Sequence, residues 1–96
     1  MIKTFGNDLA KHFFADRNSR ATRAFPPQLR RAARRKLLYL HEAAVLKDLR
    51  VPPGNRLESL SGDWSGFKSI RINKQWRLIF RWQDENAYEV QIVDYH

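Results

Sequence analysis

The spacing of apolar residues changes at residues 52–54 (Pro-Pro-Gly), and this change constrains the fold more than any other feature of the sequence. Before this break, apolar residues recur every three or four positions, which is typical of amphipathic helices. After it, apolar and polar residues alternate over 68–72, 76–82 and 88–93, which is typical of strands that bury one face. Neither part has enough apolar surface to fold alone. The 96 residues therefore predict one α+β domain over 1–96, with two N-terminal helices packed on a small twisted, mainly antiparallel sheet.

Two helices are predicted in the first half of the chain. Asn7 or Asp8 can cap a helix that runs through 9–14, because their side-chain oxygens can accept hydrogen bonds from the first free N–H groups. A second helix is predicted over 28–46, since the two prolines before it suit a helix start. The polar and basic segment 16–25 is interpreted as a loop. Residues 2–5 are predicted to form an edge strand.

The second predicted helix is amphipathic. At about 100° per residue, its apolar side chains fall within an arc of about 80°, which is expected to face the core. Basic residues fall outside this arc and form a cationic helix face. The apolar stripe contains Leu29, Ala33, Leu37, Leu40 and Ala44, and the cationic helix face contains Arg30, Arg31, Arg34 and Arg35, followed by Lys36.

The strands are predicted to pair as antiparallel hairpins, because the connecting segments 73–75 and 83–86 are short and polar. Alternation places one row of side chains in the core and the other on an outer face of the sheet. The core row contains Trp76, Leu78, Phe80 and Trp82, and the outer face contains Arg71, Arg77, Ile79 and Arg81.

The positive charge is concentrated in one half of the chain. The net charge is +8, and residues 1–50 hold 12 of the 18 basic residues against 4 acidic ones, whereas residues 51–96 hold 6 of each. This surplus indicates a polyanionic partner, and charge alone does not choose between nucleic acid, an acidic protein and a membrane surface. Arginine suits phosphate contacts, since its planar fork can donate two parallel hydrogen bonds. The cationic helix face is therefore predicted to contact RNA phosphates; the alternative is an ordinary solvated surface.

Composition disfavours several other classes of function. There are no cysteines, which excludes disulfides, thiolate metal ligands and cysteine nucleophiles. The three histidines are scattered, so neither a metal nor another cofactor is expected. No apolar run approaches the roughly 20 residues that span a bilayer, and the N-terminus lacks a signal-peptide pattern. These observations predict a soluble cytoplasmic protein that does not bind a membrane.

The arginines of the outer sheet face form the first cluster that could carry chemistry. Arg71, Arg77 and Arg81 could clamp a phosphodiester and stabilise the charge that builds on its oxygens. The alternative for Arg81 is a cross-strand ion pair with Glu89.

The second cluster is the terminal sequence Asp94-Tyr95-His96. Histidine is the usual proton-transfer group near neutral pH, and a protonated imidazole suits a general acid at a leaving 5′-oxygen. Tyr95 could donate a hydrogen bond or stack on a base. The alternative is a frayed terminus without a role.

Three blocks of sequence resemble the HigB-type branch of the RelE toxin superfamily. They are 48–63, which includes Pro-Gly-Asn-Arg-Leu-Glu-Ser-Leu-Ser-Gly-Asp at 53–63; 69–78, which includes Ser-Ile-Arg and Gln-Trp-Arg-Leu; and the terminal Val-Asp-Tyr-His at 93–96. The resemblance covers the chain end to end in layout and is closest from residue 48 onward. Within this branch, the chain is most similar to the GraT and HigB toxins, which are also called plasmid-maintenance killer proteins.

This resemblance implies a small α+β toxin of the microbial-RNase-like type that cuts mRNA in the ribosomal A site without a metal. The 2′-hydroxyl of the RNA would attack the adjacent phosphate and leave a 2′,3′-cyclic product. The resemblance also implies a HigA-type antitoxin with a helix-turn-helix fold, through which alone the toxin would contact operator DNA.

The resemblance also implies roles for particular residues. Arg77 would stabilise the phosphorane-like charge, His96 would act as general acid or base, Asp94 would orient or tune His96, and Tyr95 would contact the substrate. Contacts to RNA and the ribosome are predicted for Arg30, Arg31, Arg34, Arg35, Lys36, Arg71, Lys74 and Arg81.

The sequence departs from the family pattern at two positions. Some HigB members have a histidine where this chain has Glu58 and a lysine where it has Ser61. Glu58 could replace the histidine as the general base on the 2′-hydroxyl; the alternative is a solvated loop residue. The main rival function is a non-catalytic basic module that docks on ribosomal RNA and inhibits by occupancy. A DNA-binding protein is disfavoured, because no helix-turn-helix pair with a recognition helix is present.

Overall fold

The computed structural model describes residues 1–95 and has the predicted α+β fold. In this part of the chain, three helices precede a four-stranded antiparallel sheet whose strands lie in chain order. The helices are α1 (Asp8–Phe14), α2 (Arg20–Ala24) and α3 (Arg30–Glu42), and the strands are β1 (Glu58–Ser59), β2 (Lys68–Arg71), β3 (Trp76–Gln83) and β4 (Asn86–Asp94). Short 3-10 turns cover Pro27–Leu29, Leu46–Arg50, Pro53–Asn55 and Gly62–Trp64. No helix within residues 1–95 is long and apolar enough to cross a membrane.

The first helix begins where the sequence predicts, directly after Asn7. The Asn7 side-chain oxygen accepts a hydrogen bond from the N–H of Ala10 (3.1 Å), and its amide donates to the carbonyl of Ile92 on β4 (2.9 Å). One side chain thus caps α1 and fastens it to the sheet. Residues 2–5, predicted as an edge strand, run parallel to β4 but form only two isolated bridges, at Ile2–Ala87 and Phe5–Val90.

The predicted loop over 16–25 is wrong in part, because α2 forms within it. The Ser19 hydroxyl accepts from the N–H of Thr22 (3.3 Å), and the Thr22 hydroxyl accepts from the N–H of Ser19 (2.9 Å), which is a reciprocal cap. Phe25 then anchors the segment, since its ring centroid lies 5.2 Å from that of Phe13 and 4.7 Å from that of Trp76. Aromatic packing therefore outweighs the polar composition of this segment.

The second predicted helix is shorter than 28–46. A 3-10 turn precedes α3, and α3 ends at Glu42. The Asp48 carboxylate accepts hydrogen bonds from the N–H groups of Ala44 (3.0 Å) and Val45 (3.2 Å), which diverts them from helical bonding. Ala44 is consequently exposed, in contrast to the prediction, because it lies beyond the helix. The other members of the apolar stripe are buried or pack against the core: Leu29, Ala33, Leu37 and Leu40.

The predicted antiparallel hairpins are confirmed. The β2–β3 pairing ends at Arg71–Arg77, and the β3–β4 pairing runs from Trp76–Asp94 to Gln83–Asn86. At the tight β3–β4 turn, Asp84 and Glu85 have φ angles of 50° and 62°, a conformation that matches the twist of the strands. The alternating pattern did not predict β1, which has two residues and pairs Glu58 with Ser69.

The helices cover one face of the sheet and close the core against it. The buried side chains of this core include Leu37 and Leu40 of α3 and Leu78, Phe80 and Ile92 of the sheet. The opposite face carries the predicted arginines, but it is not wholly polar, because Ile79 is fully buried on it. Phe67 also lies on this side, with its ring centroid 4.3 Å from the guanidinium carbon of Arg81. The segment 60–67 therefore covers part of this face.

Candidate active site

Two adjacent arginines form the centre of the candidate site. Arg71 and Arg77 are register partners on β2 and β3, so their side chains project from the same face of the sheet, as predicted. A guanidinium nitrogen of Arg77 donates to the carbonyl of Asn73 (2.7 Å), and its guanidinium carbon lies 5.7 Å from the centroid of the Tyr95 ring. These contacts hold Arg77 between the β2–β3 turn and the aromatic ring.

Arg71 lies in a crowded cationic environment. Burial lowers the pKa of the Arg71 guanidinium, the neighbouring charges of Arg56 and Arg77 lower it further, and the charge of Glu58 raises it. The Nε atom of Arg71 is buried and makes no hydrogen bond to any residue between 1 and 95. An arginine stays protonated under such conditions, so the arrangement favours an anion that supplies acceptor oxygens.

Glu58 lies at the edge of this arginine pair. It is the register partner of Ser69, which is two residues from Arg71 and on the same face of β2. The side chain of Glu58 is exposed. A carboxylate is therefore available beside the cations. The predicted role of Glu58 as general base requires a carboxylate at such a position.

The predicted terminal cluster is described only up to Tyr95. The N–H of Tyr95 donates to the carbonyl of Gln75 (2.7 Å), which ties the end of β4 to the β2–β3 turn. Asp94 is the register partner of Trp76, whereas the partner of Arg77 is Val93. The Asp94 carboxylate accepts a hydrogen bond from the Gln75 side chain (2.9 Å). His96 lies outside the described residues.

An open hollow of about 580 Å³ lies beside these residues. Asp63, Trp64, Asp94 and Tyr95 line it. Asp63 and Trp64 were not singled out in the sequence, because they belong to an irregular segment with no periodic signal. Two aromatic rings and two carboxylates could hold a nucleobase, since every base has a π-face for stacking and most carry N–H donors.

The cationic helix face is present on α3, with differences in exposure among its members. Arg31 and Arg35 are exposed, whereas Arg30 and Arg34 are half-buried. The Nε atom of Arg34 lies 3.7 Å from a carboxylate oxygen of Asp16. Three of these arginines line a cleft of about 240 Å³ together with Phe13, Asp16, Arg17, Asn18 and Thr22.

Lys36 does not belong to the cationic helix face, which corrects the prediction. Its side chain is only 8% exposed, and its ammonium donates to the side-chain oxygen of the fully buried Asn55. Burial lowers the pKa of Lys36, and the charge of Arg35 lowers it further. Lys36 therefore joins α3 to the turn before β1 and is not available to a phosphate. Its helical angle, about 20° outside the apolar arc, was the signal for this burial.

Two further predicted RNA contacts differ in their surroundings. The Nε atom of Arg81 lies 2.7 Å from a carboxylate oxygen of Glu89, so the alternative of a cross-strand ion pair is confirmed for this residue. Lys74 is exposed in the β2–β3 turn, close in sequence to Asn73 and Gln75. Among residues 1–95, no group of three or more His, Cys, Asp or Glu side chains could hold a metal ion.

Comparisons with known proteins show the family and the fold of this chain. A family model described as a RelE-like toxin of the type II toxin–antitoxin system HigB matches residues 3–96. Toxin HigB-1 of Vibrio cholerae serotype O1 is 43% identical over 84 residues, which cover 88% of this chain and 86% of that protein. Two solved structures share the fold. They are YafQ from E. coli (TM-score 0.58, 15% identity, 98% of this chain and 93% of that chain) and the YoeB–YefM complex from Staphylococcus aureus (TM-score 0.58, 17% identity, 100% and 98%).

Proposed function

We propose that this chain, which belongs to the RelE-like HigB toxins of type II toxin–antitoxin systems, is a ribosome-dependent endoribonuclease that cuts mRNA without a metal. Membership of this family shows that the chain is a toxin of a toxin–antitoxin system. The reaction by which it is toxic is what we propose. Cleavage of mRNA during translation would inhibit growth.

The arginine pair suits the electrostatic demand of RNA cleavage. When the 2′-oxygen attacks phosphorus, negative charge builds on the non-bridging oxygens before the bond to the 5′-oxygen breaks. Arg71 and Arg77 present two cations from adjacent strands, and Arg77 is held by Asn73 and Tyr95. Cations that are fixed before the reaction stabilise the transition state without a cost of reorganisation, and one such donor contributes roughly 10²–10³ in rate.

The remaining roles concern two proton transfers. Glu58 would take the proton of the 2′-hydroxyl, and His96 would give a proton to the leaving 5′-oxygen. The bond from the 2′-oxygen to phosphorus forms and the bond to the 5′-oxygen breaks, which gives a 2′,3′-cyclic phosphate and a 5′-hydroxyl. Asp94 would orient His96, and Tyr95 would contact the RNA. Trp64, which lines the same hollow as Tyr95, would stack on a nucleobase.

Docking on the ribosome would use basic residues away from the arginine pair. Arg31 and Arg35 are exposed on α3, and Lys74 is exposed beside the site, so all three can reach ribosomal RNA phosphates.

A helix-turn-helix antitoxin of the HigA type would bind the toxin, and operator DNA would be contacted only through that antitoxin. We further propose that residues 1–96 act as one domain in the cytoplasm.

The observation that carries the proposal is the fixed position of Arg77 beside Arg71 and Tyr95, all three of which are half-buried on the outer face of the sheet. The test is to map 5′ ends of mRNA in a purified translation system with the wild-type toxin, Arg77→Gln, His96→Gln and the control Lys3→Gln. Lys3 is exposed at the far edge of the sheet, and its substitution removes one positive charge, as that of Arg77 does. We expect cleavage to fall at least 100-fold for Arg77→Gln and His96→Gln and to stay unchanged for Lys3→Gln.

Ribosome binding separates this proposal from its rival. Both impaired variants should still bind ribosomes, because their substitutions leave the basic face of α3 intact. If His96→Gln and Arg77→Gln inhibit translation as strongly as the wild type without any cleavage, the toxin acts by occupancy and the nuclease proposal is wrong.

A further inference from the structure

Arg56 extends the arginine pair by one position toward the edge of the sheet. The β1–β2 register pairs Glu58 with Ser69 in antiparallel strands, and Arg56 precedes β1 on the side toward Arg71, close enough for its charge to act on the Arg71 guanidinium. Arg71 is itself the register partner of Arg77. Arg56, Arg71 and Arg77 therefore form a transverse row of cations, which we call the arginine row.

The backbone at Arg56 is held in a conformation that arginine rarely adopts. Its φ and ψ angles are 47° and 58°, in the left-handed region, and its N–H donates to the carbonyl of Pro53 (3.1 Å). The preceding Asn55 is fully buried and donates to the carbonyl of Leu49 (3.1 Å). This anchor fixes the backbone while the Arg56 side chain stays exposed. A non-glycine residue in this region is unfavourable, and such residues cluster at functional sites.

The causes of the lowered pKa of Arg71 agree with this arrangement of the three side chains. The charges of both Arg56 and Arg77 act on Arg71, and Glu58 is the acidic neighbour that acts in the opposite sense. Together with the buried, unpartnered Nε atom of Arg71, this arrangement places more donors and more positive charge on the site than its described residues satisfy. A ligand with several anionic oxygens would supply the missing acceptors.

The size of the arginine row favours more than one phosphate. Neighbouring strands lie about 4.8 Å apart, so the row extends over roughly 10 Å between the backbones at its ends. We propose that Arg56 binds an RNA phosphate next to the scissile one, while Arg71 and Arg77 bind the scissile phosphate. This inference rests on the proposed function and adds a substrate-binding residue to it.

The test pairs a change in the protein with a change in the RNA. Ribosomes are programmed with mRNA that carries a 2′-O-methyl group at the cleavage site, which prevents the reaction, and toxin binding is measured by fluorescence. A neutral methylphosphonate replaces, in separate mRNAs, the phosphate on either side of the scissile one. The proteins are the wild type, Arg56→Gln and the control Lys3→Gln. Arg56→Gln removes the positive charge and keeps an unbranched polar side chain, and thermal unfolding of each variant reports whether it folds.

For one of the two neighbouring phosphates, we expect neutralisation to weaken wild-type and Lys3→Gln binding about tenfold, as for a lost charge-assisted hydrogen bond. The same neutralisation should weaken the binding of Arg56→Gln less than twofold, because this variant already lacks the guanidinium that would contact the phosphate. If neither phosphate shows this coupling, or if Arg56→Gln weakens only antitoxin binding, the inference is wrong.

The outcome is independent of the nuclease assay. Coupling at a neighbouring phosphate in the absence of any wild-type cleavage would refute the proposed reaction and leave the phosphate contact standing. Cleavage by the wild type without coupling at either neighbouring phosphate would support the proposed reaction and refute the phosphate contact of Arg56.

Discussion

The hydrogen bond between Lys36 and Asn55 is expected to stabilise the fold and to support the turn that leads into β1. Both side chains are buried, and Asn55 also donates to the carbonyl of Leu49 (3.1 Å). Lys36→Met removes the ammonium and keeps most of the side-chain volume, and Asn55→Ala removes the acceptor.

The expected magnitude follows from the charge and the burial. Lys36→Met leaves a buried acceptor on Asn55 without its donor, which costs about 1–3 kcal/mol of unfolding free energy. Asn55→Ala leaves a buried ammonium unpaired and costs about 3–5 kcal/mol. Because both variants remove the same bond, the double variant should be more stable than the sum of single effects predicts, by about 1.5–3 kcal/mol.

The pH dependence provides a second measurement. The pKa of Lys36 is lowered in the folded protein from its ordinary value of 10.5, so between the two values the unfolded chain binds more protons. Wild-type stability therefore gains a contribution that rises with pH in that range. The Lys36→Met variant lacks this titration, so its deficit in unfolding free energy should grow as the pH approaches about 10.5.

The assay is urea unfolding of the four proteins in the double-variant cycle, followed by tryptophan fluorescence. Lys47→Met, at an exposed lysine, serves as the control and should stay within about 0.5 kcal/mol of the wild type. A coupling below about 0.5 kcal/mol, or a Lys36→Met deficit that shrinks with rising pH, would refute the reasoning.

Two other substitutions test the segment that covers the outer sheet face. Gly66→Ala should destabilise the protein by about 1–2 kcal/mol in urea unfolding, because residue 66 has a φ of 91° and a Cβ would lie 2.6 Å from an Arg81 guanidinium nitrogen; equal stability of the two proteins would contradict this. Trp64→Ala should weaken binding of mRNA-programmed ribosomes, by about 1–3 kcal/mol per lost stacking contact, whereas Trp64→Phe should retain much of the affinity. Equal losses for both variants would argue against stacking.

The sheet could be predicted from the sequence because alternation alone determines which side chains share a face. Once 68–72 and 76–82 form a hairpin, Arg71 and Arg77 must lie near each other on the face away from the core. The candidate site could be predicted to this extent without knowledge of any long-range contact.

The helical half was less predictable, because several of its features depend on packing and on local side-chain bonds. The helix α2 has five residues, too few for a periodic signal, and its anchor is the contact of Phe25 with Trp76, a residue distant in sequence. The end of α3 depends on the Asp48 carboxylate, which lies six residues beyond it. The burial of Lys36 was readable from its helical angle, but the basic residues around it suggested a solvated position.

Neither the helical nor the strand spacing of apolar residues could identify the site residues that lie at turns, namely Arg56, Asp63 and Trp64. Arg56 follows a 3-10 turn, and the other two lie within one. The relation of Arg56 to Arg71 emerges only when the two-residue strand β1 fixes the register. Residues of this kind are typical of active sites, where irregular backbone on a rigid scaffold presents the reacting groups.

The arginine row has a consequence for how sequence change is tolerated in this toxin. Three guanidinium groups that repel one another are easier to fold when one of them is neutral, so the positions that serve RNA chemistry are also positions where the apo protein gains from losing a charge. Selection for thermal tolerance alone would therefore tend to remove charge from the arginine row, whereas binding of the proposed RNA would favour keeping it.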